Sequence, residues 1–307
     1  MRKFFALFAV LCCAAVLDSC VAKKPAKHVI MIGIDGWGSE AVRQASPEDI
    51  PNITFLMENG SWTLGKRSVM PSASAINWAS IFNGLPTEMH GFDKWNSTRG
   101  TIPSTADNGH GIPPTIFTIL REQMPDAESG LVYDWDGVGA VADTLAMDYN
   151  YFIKTYRDHE IIVPTEEYTK IGVEYIKSKK PTFFTFYYGL QDEVGHSSGW
   201  YSPEYQDCQK GIDKGIGMII QATKDAGIFD DTIFIVTSDH GGVNNGHGGF
   251  TMLELETPFI VFGKNVKKGF EFPDPMIQYD VPATIASCLG LEIPSGWRGK
   301  PMTQVFK

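Results

Sequence analysis

The chain has 307 residues, of which 43% are hydrophobic and 20% are charged, and its formal net charge is −10. This composition is ordinary for a globular protein and allows one large α/β domain or two smaller ones. The acidic balance argues against non-specific binding to nucleic acid, which needs basic patches, and no nucleic-acid-binding surface is evident. It does not exclude a small anionic substrate, because bound cations can reverse the local field.

The first twenty residues have the pattern of an export signal. Two basic residues precede an apolar run, residues 4–16, which has signal-peptide length and is short for a membrane span. The run ends near Ser19-Cys20, which resembles the end of a bacterial lipoprotein signal. We therefore expect residues 1–19 to be a signal peptide, Cys20 to carry lipid and residues 20–27 to form a polar tether. A plain signal peptide or an N-terminal anchor is the alternative. The lipoprotein would be periplasmic or on the cell surface, with the lipid as its only membrane contact.

Apolar, β-branched runs alternate with segments of helical periodicity over residues 28–307. This alternation predicts an α/β fold, a three-layer sandwich with a mostly parallel central sheet flanked by helices. No internal repeat or linker interrupts it, so residues 28–307 are expected to form a single domain. The predicted strands are 28–34, 61–64, 129–133, 181–188, 229–236 and 258–263, with a less regular strand and loop over 149–157. The predicted helices are 38–45, 54–59, 74–83, 114–123, 166–178, 205–226 and 280–289, and residues 93–112 are expected to be a loop near the site.

Carboxylates and imidazoles follow three of the predicted strands. Because ligands bind beyond the carboxyl ends of strands in such sheets, we expect these side chains to meet at one edge. Three carboxylates and three imidazoles are enough for two divalent ions with three protein ligands each, and zinc suits such ligands. Taken one strand at a time, each could equally be an ordinary polar turn. The six residues are Asp35, Asp192, His196, Asp239, His240 and His247.

A candidate nucleophile lies at the start of the predicted helix 74–83. Ser72 and Ser74 both stand there, and a serine at such a place is commonly only an N-cap. A helix N-terminus is also a favourable place for a phosphoryl group. A serine bound to a metal would lose its proton readily and attack phosphorus. The residues by themselves leave open which serine acts, and whether either does.

Several segments carry recognisable motifs in a fixed order. They are Ile34-Asp35-Gly36, the block from Pro71 to Gly91, Asp192-x-x-x-His196, Ser238-Asp239-His240-Gly241, Gly246-His247-Gly248 and the closing helix region from Tyr279 to Gly290. Together they resemble the alkaline phosphatase superfamily, and most closely its nucleotide pyrophosphatase/phosphodiesterase (type I phosphodiesterase) branch. The resemblance covers nearly the whole mature chain and implies an alkaline phosphatase-like fold.

The resemblance also implies roles for individual residues. The family pattern Pro-Thr-x-Thr/Ser-x-x-Asn corresponds to residues 71–77, which places the nucleophile on Ser74, where the diesterase branch usually has Thr. It implies that Asn77 donates a hydrogen bond to a phosphate oxygen. Two divalent metal ions are implied, zinc being the expected metal, although manganese or magnesium could take the same ligands. One ion would be held by Asp35, Ser74, Asp239 and His240, and the other by Asp192, His196 and His247.

The expected function is metal-dependent hydrolysis of phosphate esters through a phospho-Ser74 intermediate. The substrate would be a small phosphorylated molecule with a phosphodiester or nucleotide pyrophosphate bond. A phosphomonoesterase of the same superfamily is the first alternative. It would need a basic residue in the pocket, and the motifs contain none, the nearest being Lys66, Arg67 and Lys94. The second alternative is a non-catalytic, ligand-binding surface lipoprotein, against which the complete ligand set argues.

Three further expectations concern residues outside this set. His90 is expected to have a structural role, because the family pattern does not make it a metal ligand. Cys208 and Cys288 are expected to be free buried thiols, although sequence alone does not decide their pairing. Four aromatic residues could stack on a base or an aromatic leaving group, but packing is the expected role of each singly. They are Trp78, Trp95, Trp135 and Tyr151.

Overall fold

The structure is a computed structural model that describes residues 25–307, so the expected signal peptide and Cys20 lie outside the described residues. The strands are β1 (His28–Ile34), β2 (Ser61–Arg67), β3 (Ser129–Tyr133), β4 (Tyr149–Phe152), β5 (Tyr156–Arg157), β6 (Glu160–Ile161), β7 (Phe183–Tyr188), β8 (Thr232–Thr237), β9 (Glu256–Gly263) and β10 (Phe270–Glu271). The helices are α1 (Ser39–Gln44), α2 (Pro51–Asn59), α3 (Ser74–Asn83), α4 (Thr87–His90), α5 (Ile116–Gln123), α6 (Asp136–Val141), α7 (Thr165–Lys179), α8 (Leu190–Ser198), α9 (Pro203–Asp225), α10 (Met252–Leu255) and α11 (Asp280–Leu289).

Eight strands form the central sheet, in the order β10-β2-β9-β8-β1-β7-β3-β4. All neighbouring pairs are parallel except those of β9, which runs antiparallel to both β8 and β2. Only the four-residue helix α10 lies between β8 and β9. The connection between them, residues 238–255, contains no long crossover helix of the kind that usually joins parallel neighbours. The predicted, mostly parallel sheet is confirmed, with β9 as the exception.

The sheet is covered on both faces, because successive side chains of each strand point to opposite sides. Along β1, Val29 and Met31 pack in the apolar core that also contains residues of α3, α5 and α11. Ile30 and Ile32 pack in the second core, with residues of α2, α7 and α9. Both cores are continuous along the sheet, and the arrangement is the predicted three-layer sandwich.

Four helices have no counterpart among those predicted from the sequence: α4, α6, α8 and α10. Asp192 and His196 lie on α8, in a segment where no element was predicted, because its polar residues and Gly195 give little helical periodicity. Helix α6 occupies residues 136–141, for which the sequence predicts no element. The two-residue strands β6 and β10 are also not predicted, and the remaining differences lie at the ends of elements. Strand β8 begins at Thr232 rather than residue 229, because residues 229–231 form a 3-10 turn.

The folded domain begins before residue 28, which corrects the end of the expected tether 20–27. Ala26 is 7% exposed, and its N–H donates to Cys288 O at 2.9 Å. The Lys27 N–H donates to Asp231 O, and the Lys27 Nζ lies 2.6 Å from Asp231 Oδ2. These contacts fix the chain at the amino edge of the sheet. None of the helices described over residues 25–307 has both the length and the apolar composition needed to cross a membrane.

Candidate metal centre

The structure brings the six expected ligands together at the carboxyl edge of the sheet. Asp35, Asp239 and His240 follow the neighbouring strands β1 and β8, and we call them the deep group. The His240 Nε2 lies 3.2 Å from Asp239 Oδ2 and 3.5 Å from Asp35 Oδ1. All three side chains are buried. Their ligand atoms lie within 4.8 Å of one another, which is close enough for one ion.

The other three residues form the outer group: Asp192, His196 and His247. Asp192 and His196 are four residues apart on α8, so the helix places them on one face. The His196 Nε2 lies 3.4 Å from Asp192 Oδ2, and the His247 Nε2 lies 3.7 Å from Asp192 Oδ1. Ligand atoms of Asp192, His247 and His240 also lie within 4.8 Å of one another. His240 therefore stands between the two groups, and His196 joins the outer group through Asp192.

Each of the three imidazoles is oriented in the same way. The Nδ1 atoms of His240, His247 and His196 lie 2.8 Å, 2.9 Å and 3.0 Å from backbone carbonyl oxygens. A carbonyl oxygen only accepts, so each Nδ1 carries a hydrogen, and in the neutral imidazole each Nε2 keeps its lone pair. The Nε2 atoms face the carboxylates. This fixed tautomer is the one that metal-ligating histidines commonly have.

The carboxylates of the site fit a bound cation. Asp239 Oδ2 in the deep group and Asp192 Oδ1 in the outer group are buried and have no hydrogen-bond partner among the described residues. Burial and the nearby charge of Asp192 raise the pKa of Asp35 to about 7. Burial and the charge of Asp35 raise the pKa of Asp239 well above its usual value. Such a cluster is electrostatically unfavourable without positive charge, and divalent ions would supply it.

Aromatic donors hold Asp35 in place. The Trp78 Nε1–H donates to Asp35 Oδ2 at 2.9 Å, and the Tyr187 hydroxyl donates to the same oxygen. The second oxygen, Oδ1, is thereby left facing Ser74 and His240. Trp78 is fully buried, so its expected packing role is confirmed. Neither donor was predicted, because nothing in the sequence distinguishes them from other aromatic core residues.

Ser74 is the first residue of α3 and lies against the deep group. Its Oγ is 3.4 Å from Asp35 Oδ1 and 3.2 Å from His240 Nε2. Ser72 is placed differently: it is fully buried, and its Oγ donates to Gly249 O at 2.7 Å and accepts from Gly248 N at 3.2 Å. The structure therefore brings Ser74, and not Ser72, to the candidate ligands.

The expected role of Asn77 needs correction. Asn77 is fully buried and is not among the residues that line the cavity. Its Oδ1 accepts from the Val69 N–H at 2.7 Å, and its Nδ2 lies 3.0 to 3.2 Å from the carbonyl oxygens of Val69, Pro71 and Ala73. Its amide hydrogens are thus engaged by backbone carbonyl oxygens of the segment that leads into α3. Asn77 therefore supports Ser74 and does not donate to a phosphate oxygen.

A cavity of about 820 Å³ opens above the two ligand groups. Its walls include Trp95, Trp135 and Phe152, of which Trp95 is 58% and Phe152 46% exposed. Tyr151 is not among its lining residues. Lys154 is the one lysine or arginine among the described residues that line it. No motif surrounds Lys154, so nothing in the sequence predicts its position in the cavity.

The basic residues named from the sequence lie elsewhere. Lys66 is fully buried, and the Arg67 Nη2 lies 3.0 Å from a Glu256 carboxylate oxygen. The structural role expected for His90 is confirmed. His90 is 1% exposed, the Phe92 N–H donates to its Nδ1 at 3.0 Å, and burial lowers its pKa to about 4. Cys208 and Cys288 are both free, and burial raises the pKa of each thiol to about 12.

Comparison with known proteins gives both a family and a fold. A family model described as type I phosphodiesterase/nucleotide pyrophosphatase matches residues 29–257. Mouse ectonucleotide pyrophosphatase/phosphodiesterase family member 1 is 25% identical over 233 residues, which are 72% of this chain and 25% of the mouse protein. A venom phosphodiesterase of Crotalus durissus collilineatus is 24% identical over 242 residues, 75% of this chain and 28% of that protein. The chain thus spans about a quarter of the length of the curated relatives it matches.

Two solved structures illustrate the likeness in fold. Murine ectonucleotide pyrophosphatase/phosphodiesterase 5, an inactive variant in complex with AMP, has a TM-score of 0.70 at 16% identity and covers 92% of this chain and 100% of that one. A 2-O GAG sulfatase has a TM-score of 0.68 at 13% identity and covers 92% of this chain and 74% of that one. At these identities the likeness concerns the fold alone, and it agrees with the predicted α/β sandwich.

Proposed function

Because the chain belongs to the type I phosphodiesterase/nucleotide pyrophosphatase family, we propose that it hydrolyses phosphodiester or nucleotide pyrophosphate bonds through a phosphoserine on Ser74. The observation that carries this proposal is the position of the Ser74 Oγ, 3.2 Å from His240 Nε2 and 3.4 Å from Asp35 Oδ1. It lies against the deep group and lines the cavity. A serine hydroxyl in this position would be close to the phosphorus atom of a substrate bound in the cavity.

Two divalent metal ions, for which zinc is the proposed identity, would be bound here. Asp35, Asp239 and His240, with Ser74, would hold one, and the outer group would hold the other. The orphaned carboxylate oxygens and the uniform imidazole tautomers support this assignment. Such ions stabilise charge on the attacking and leaving oxygens of an in-line displacement at phosphorus.

The residues of the chain have separate tasks in the reaction. The bond from Ser74 Oγ to phosphorus forms as the bond to the leaving oxygen breaks, and the hydroxyl proton passes to water. Water then cleaves the phosphoserine and restores the hydroxyl. Trp78 and Tyr187 keep Asp35 oriented toward Ser74. Asn77 fixes the backbone that leads into α3, so that Ser74 has one position.

The cavity suggests the kind of substrate. Trp95 and Phe152 expose aromatic surface in its walls and would stack on a nucleobase or another flat group. The AMP bound by murine ectonucleotide pyrophosphatase/phosphodiesterase 5 supports a nucleotide-like ligand. Lys154 gives specific support to a second candidate, phosphomonoester hydrolysis, because a basic side chain in the cavity could meet the extra charge of a monoester.

The test compares the zinc-loaded wild type with Ser74→Ala on three substrates. They are the p-nitrophenyl ester of thymidine 5′-monophosphate, bis-p-nitrophenyl phosphate and p-nitrophenyl phosphate. We expect the wild type to prefer the diesters and Ser74→Ala to lose turnover while still binding zinc. Ser80→Ala, on the same helix but outside the cavity lining, is the control. A zinc-binding wild type that hydrolyses none of them would favour the non-catalytic alternative. Dominant turnover of the monoester would favour the second candidate, phosphomonoester hydrolysis.

We also propose that the protein is an exported lipoprotein anchored through Cys20. Ala26 and Lys27 are fixed at the amino edge of the sheet, whereas the cavity lies at the carboxyl edge. A lipid on Cys20 would therefore hold the domain by the edge opposite the cavity. Cys20→Ala should abolish incorporation of labelled palmitate and release the protein from the membrane fraction. Unchanged labelling of this variant would show that the lipid is elsewhere.

A further inference from the structure

Lys66 is a lysine side chain with no exposed surface, close to the metal centre. Lysine is almost never fully buried unless it is paired, because removing its ammonium group from water is unfavourable. The Lys66 Nζ donates its hydrogen bonds to uncharged oxygen atoms. Asp239 and Asp280 are the charged groups that influence it. Its retention in this position calls for a specific role.

A bulge in β2 places Lys66 on the same face of the sheet as Thr63. Two residues lie between Thr63 and Lys66, whereas only one lies between their partners in β9, Phe259 and Thr257. Without the extra residue, position 65 would share the face of Thr63, and Lys66 would lie on the opposite face. The pattern of burial agrees, because Thr63 and Lys66 are buried and Gly65 is exposed. Bulges commonly re-aim a side chain next to a functional site.

The amino group of Lys66 binds the segment that carries two deep-group ligands. Its Nζ donates to Ser238 O at 2.8 Å and to Gln278 Oε1. The Gln278 Nε2 donates in turn to Ser238 O at 3.1 Å and to Asp239 O. The Ser68 Oγ donates to Asp239 O at 2.6 Å. The side chains of Lys66, Gln278 and Ser68 thus donate hydrogen bonds to the backbone carbonyl oxygens of the consecutive residues Ser238 and Asp239.

These hydrogen bonds take the place of the backbone hydrogen bonds between strands, which stop where β8 ends. Strand β8 ends at Thr237, the last residue of β8 in register with β1 and β9. The next two carbonyl groups are fully buried and need partners. Because Asp239 and His240 follow at once, the orientation of these peptide groups sets the direction in which both ligands point.

We propose that Lys66 is a positioning residue of the metal centre, which fixes the Ser238–Asp239 backbone so that Asp239 and His240 are held ready for the ion. The inference rests on the metal site of the proposed function. Lys66 contacts neither substrate nor ion, and it acts through the backbone alone. Its loss should weaken metal binding while the affinity for substrate at saturating metal is retained.

The sign of the effect distinguishes this role from simple electrostatics. A positive charge near the site repels a bound cation. If repulsion were the main effect of Lys66, its removal would tighten metal binding. If positioning is the main effect, removal weakens it. Outer-sphere partners of metal ligands typically contribute about 10–100-fold in metal affinity, and we expect a loss of that order.

The experiment measures zinc binding to the metal-stripped full chain by competition with a chromophoric chelator, for wild type, Lys66→Met and Ser68→Ala. Lys264→Met is the matched control, because Lys264 pairs with Asp231 at the amino edge, far from the ligands. We expect Lys66→Met to raise the zinc dissociation constant about 10- to 100-fold and Ser68→Ala to raise it less. Turnover of Lys66→Met should recover as zinc is raised, with KM unchanged.

Each outcome is decisive. Folded Lys66→Met that binds zinc as the wild type does, or more tightly, overturns the inference while the proposed function stands. A wild type that binds no zinc overturns the proposed function itself. If Lys66→Met fails to fold, Ser68→Ala decides, because it removes a bond to the same segment and leaves the lysine in place. Unchanged zinc affinity in Ser68→Ala then overturns the inference.

Discussion

The deep and outer groups of ligands differ in burial and in the elements that carry them. In the deep group the side chains of Asp35, Asp239 and His240 are at most 2% exposed. In the outer group the exposed fractions of Asp192, His247 and His196 are 17%, 10% and 37%. The deep group follows two adjacent strands in the middle of the sheet. The outer group comes from the short helix α8 and from the glycine-rich loop after β8.

For the two proposed metal ions, this difference predicts unequal binding affinities. Ligands at the ends of central strands are held by the sheet, so little order has to be gained when an ion binds. Ligands on a short helix and a loop are held less firmly and remain open to the cavity. We therefore expect an ion in the deep group to be bound tightly and to exchange slowly. An ion in the outer group should bind more weakly and exchange with the solvent.

The largest effect is expected for the deep group. Asp239→Asn removes a buried carboxylate whose Oδ2 has no hydrogen-bond partner among the described residues. Turnover should fall roughly a thousandfold, equivalent to about 4 kcal/mol in the barrier, and the tightly bound zinc should be lost. The measurement is kcat/KM at saturating zinc together with zinc content. Asp230→Asn, at an exposed position, is the control. A loss of less than tenfold would contradict the ranking of the two groups.

A smaller effect is expected for the outer group. His196→Gln removes one of the three proposed ligands of the outer ion, so that ion should bind more weakly by more than the roughly 100-fold upper range for loss of an outer-sphere partner, and the deep ion should be unaffected. Titration with zinc should show a shift in the weaker of two binding steps only. If His196→Gln abolishes activity at every zinc concentration, the two groups do not differ as the burial of their side chains indicates.

The two groups should also respond to pH in different ranges. Zinc displaces protons from its ligands, so its stabilising effect grows with pH until the ligands are deprotonated. Burial and the charge of Asp192 raise the pKa of Asp35 to about 7, and the hydrogen bond to Asp192 raises the pKa of His196 to about 9. At fixed free zinc, the increase in Tm over the metal-free protein should therefore grow up to about pH 9. His196→Gln should remove the growth above pH 7.5, whereas unchanged growth would exclude His196 as a ligand.

The smallest effect is expected for Lys154, in the cavity wall, and concerns the preference for monoester or diester substrates. Lys154→Met removes the basic residue of the cavity wall. Exposed ion pairs contribute about 0.2–1 kcal/mol, so kcat/KM for a phosphomonoester should fall only a few-fold and that for a diester should hardly change. Lys94→Met, outside the cavity lining, is the control. An equal loss on both kinds of ester would mean that Lys154 does not select for charge.

Much of the fold and the candidate site was readable in the sequence, where local pattern and topology agree. The apolar strands β1 and β7 and helix α3 were placed within a few residues. The six ligands could be grouped because parallel strands bring their carboxyl ends to one edge. Helix α8 was missed because its residues, which serve the site, lack an apolar stripe. Asn77 was misassigned because a motif gives a residue's position in the chain and not the direction of its side chain.

The sequence by itself determined the layered α/β architecture, because periodicity is a property of the chain, and its motif order, through the family resemblance, named the candidate ligands and Ser74 as the candidate nucleophile. Only the tertiary structure decided what depends on contacts between distant segments. It set the unequal burial of the two ligand groups, brought Lys154 into the cavity wall and placed the Lys66 amino group within hydrogen-bonding distance of Ser238 O. These outcomes follow from a bulge, a loop and the strand order, which bring together residues as distant in the chain as Lys66 and Gln278, 212 positions apart.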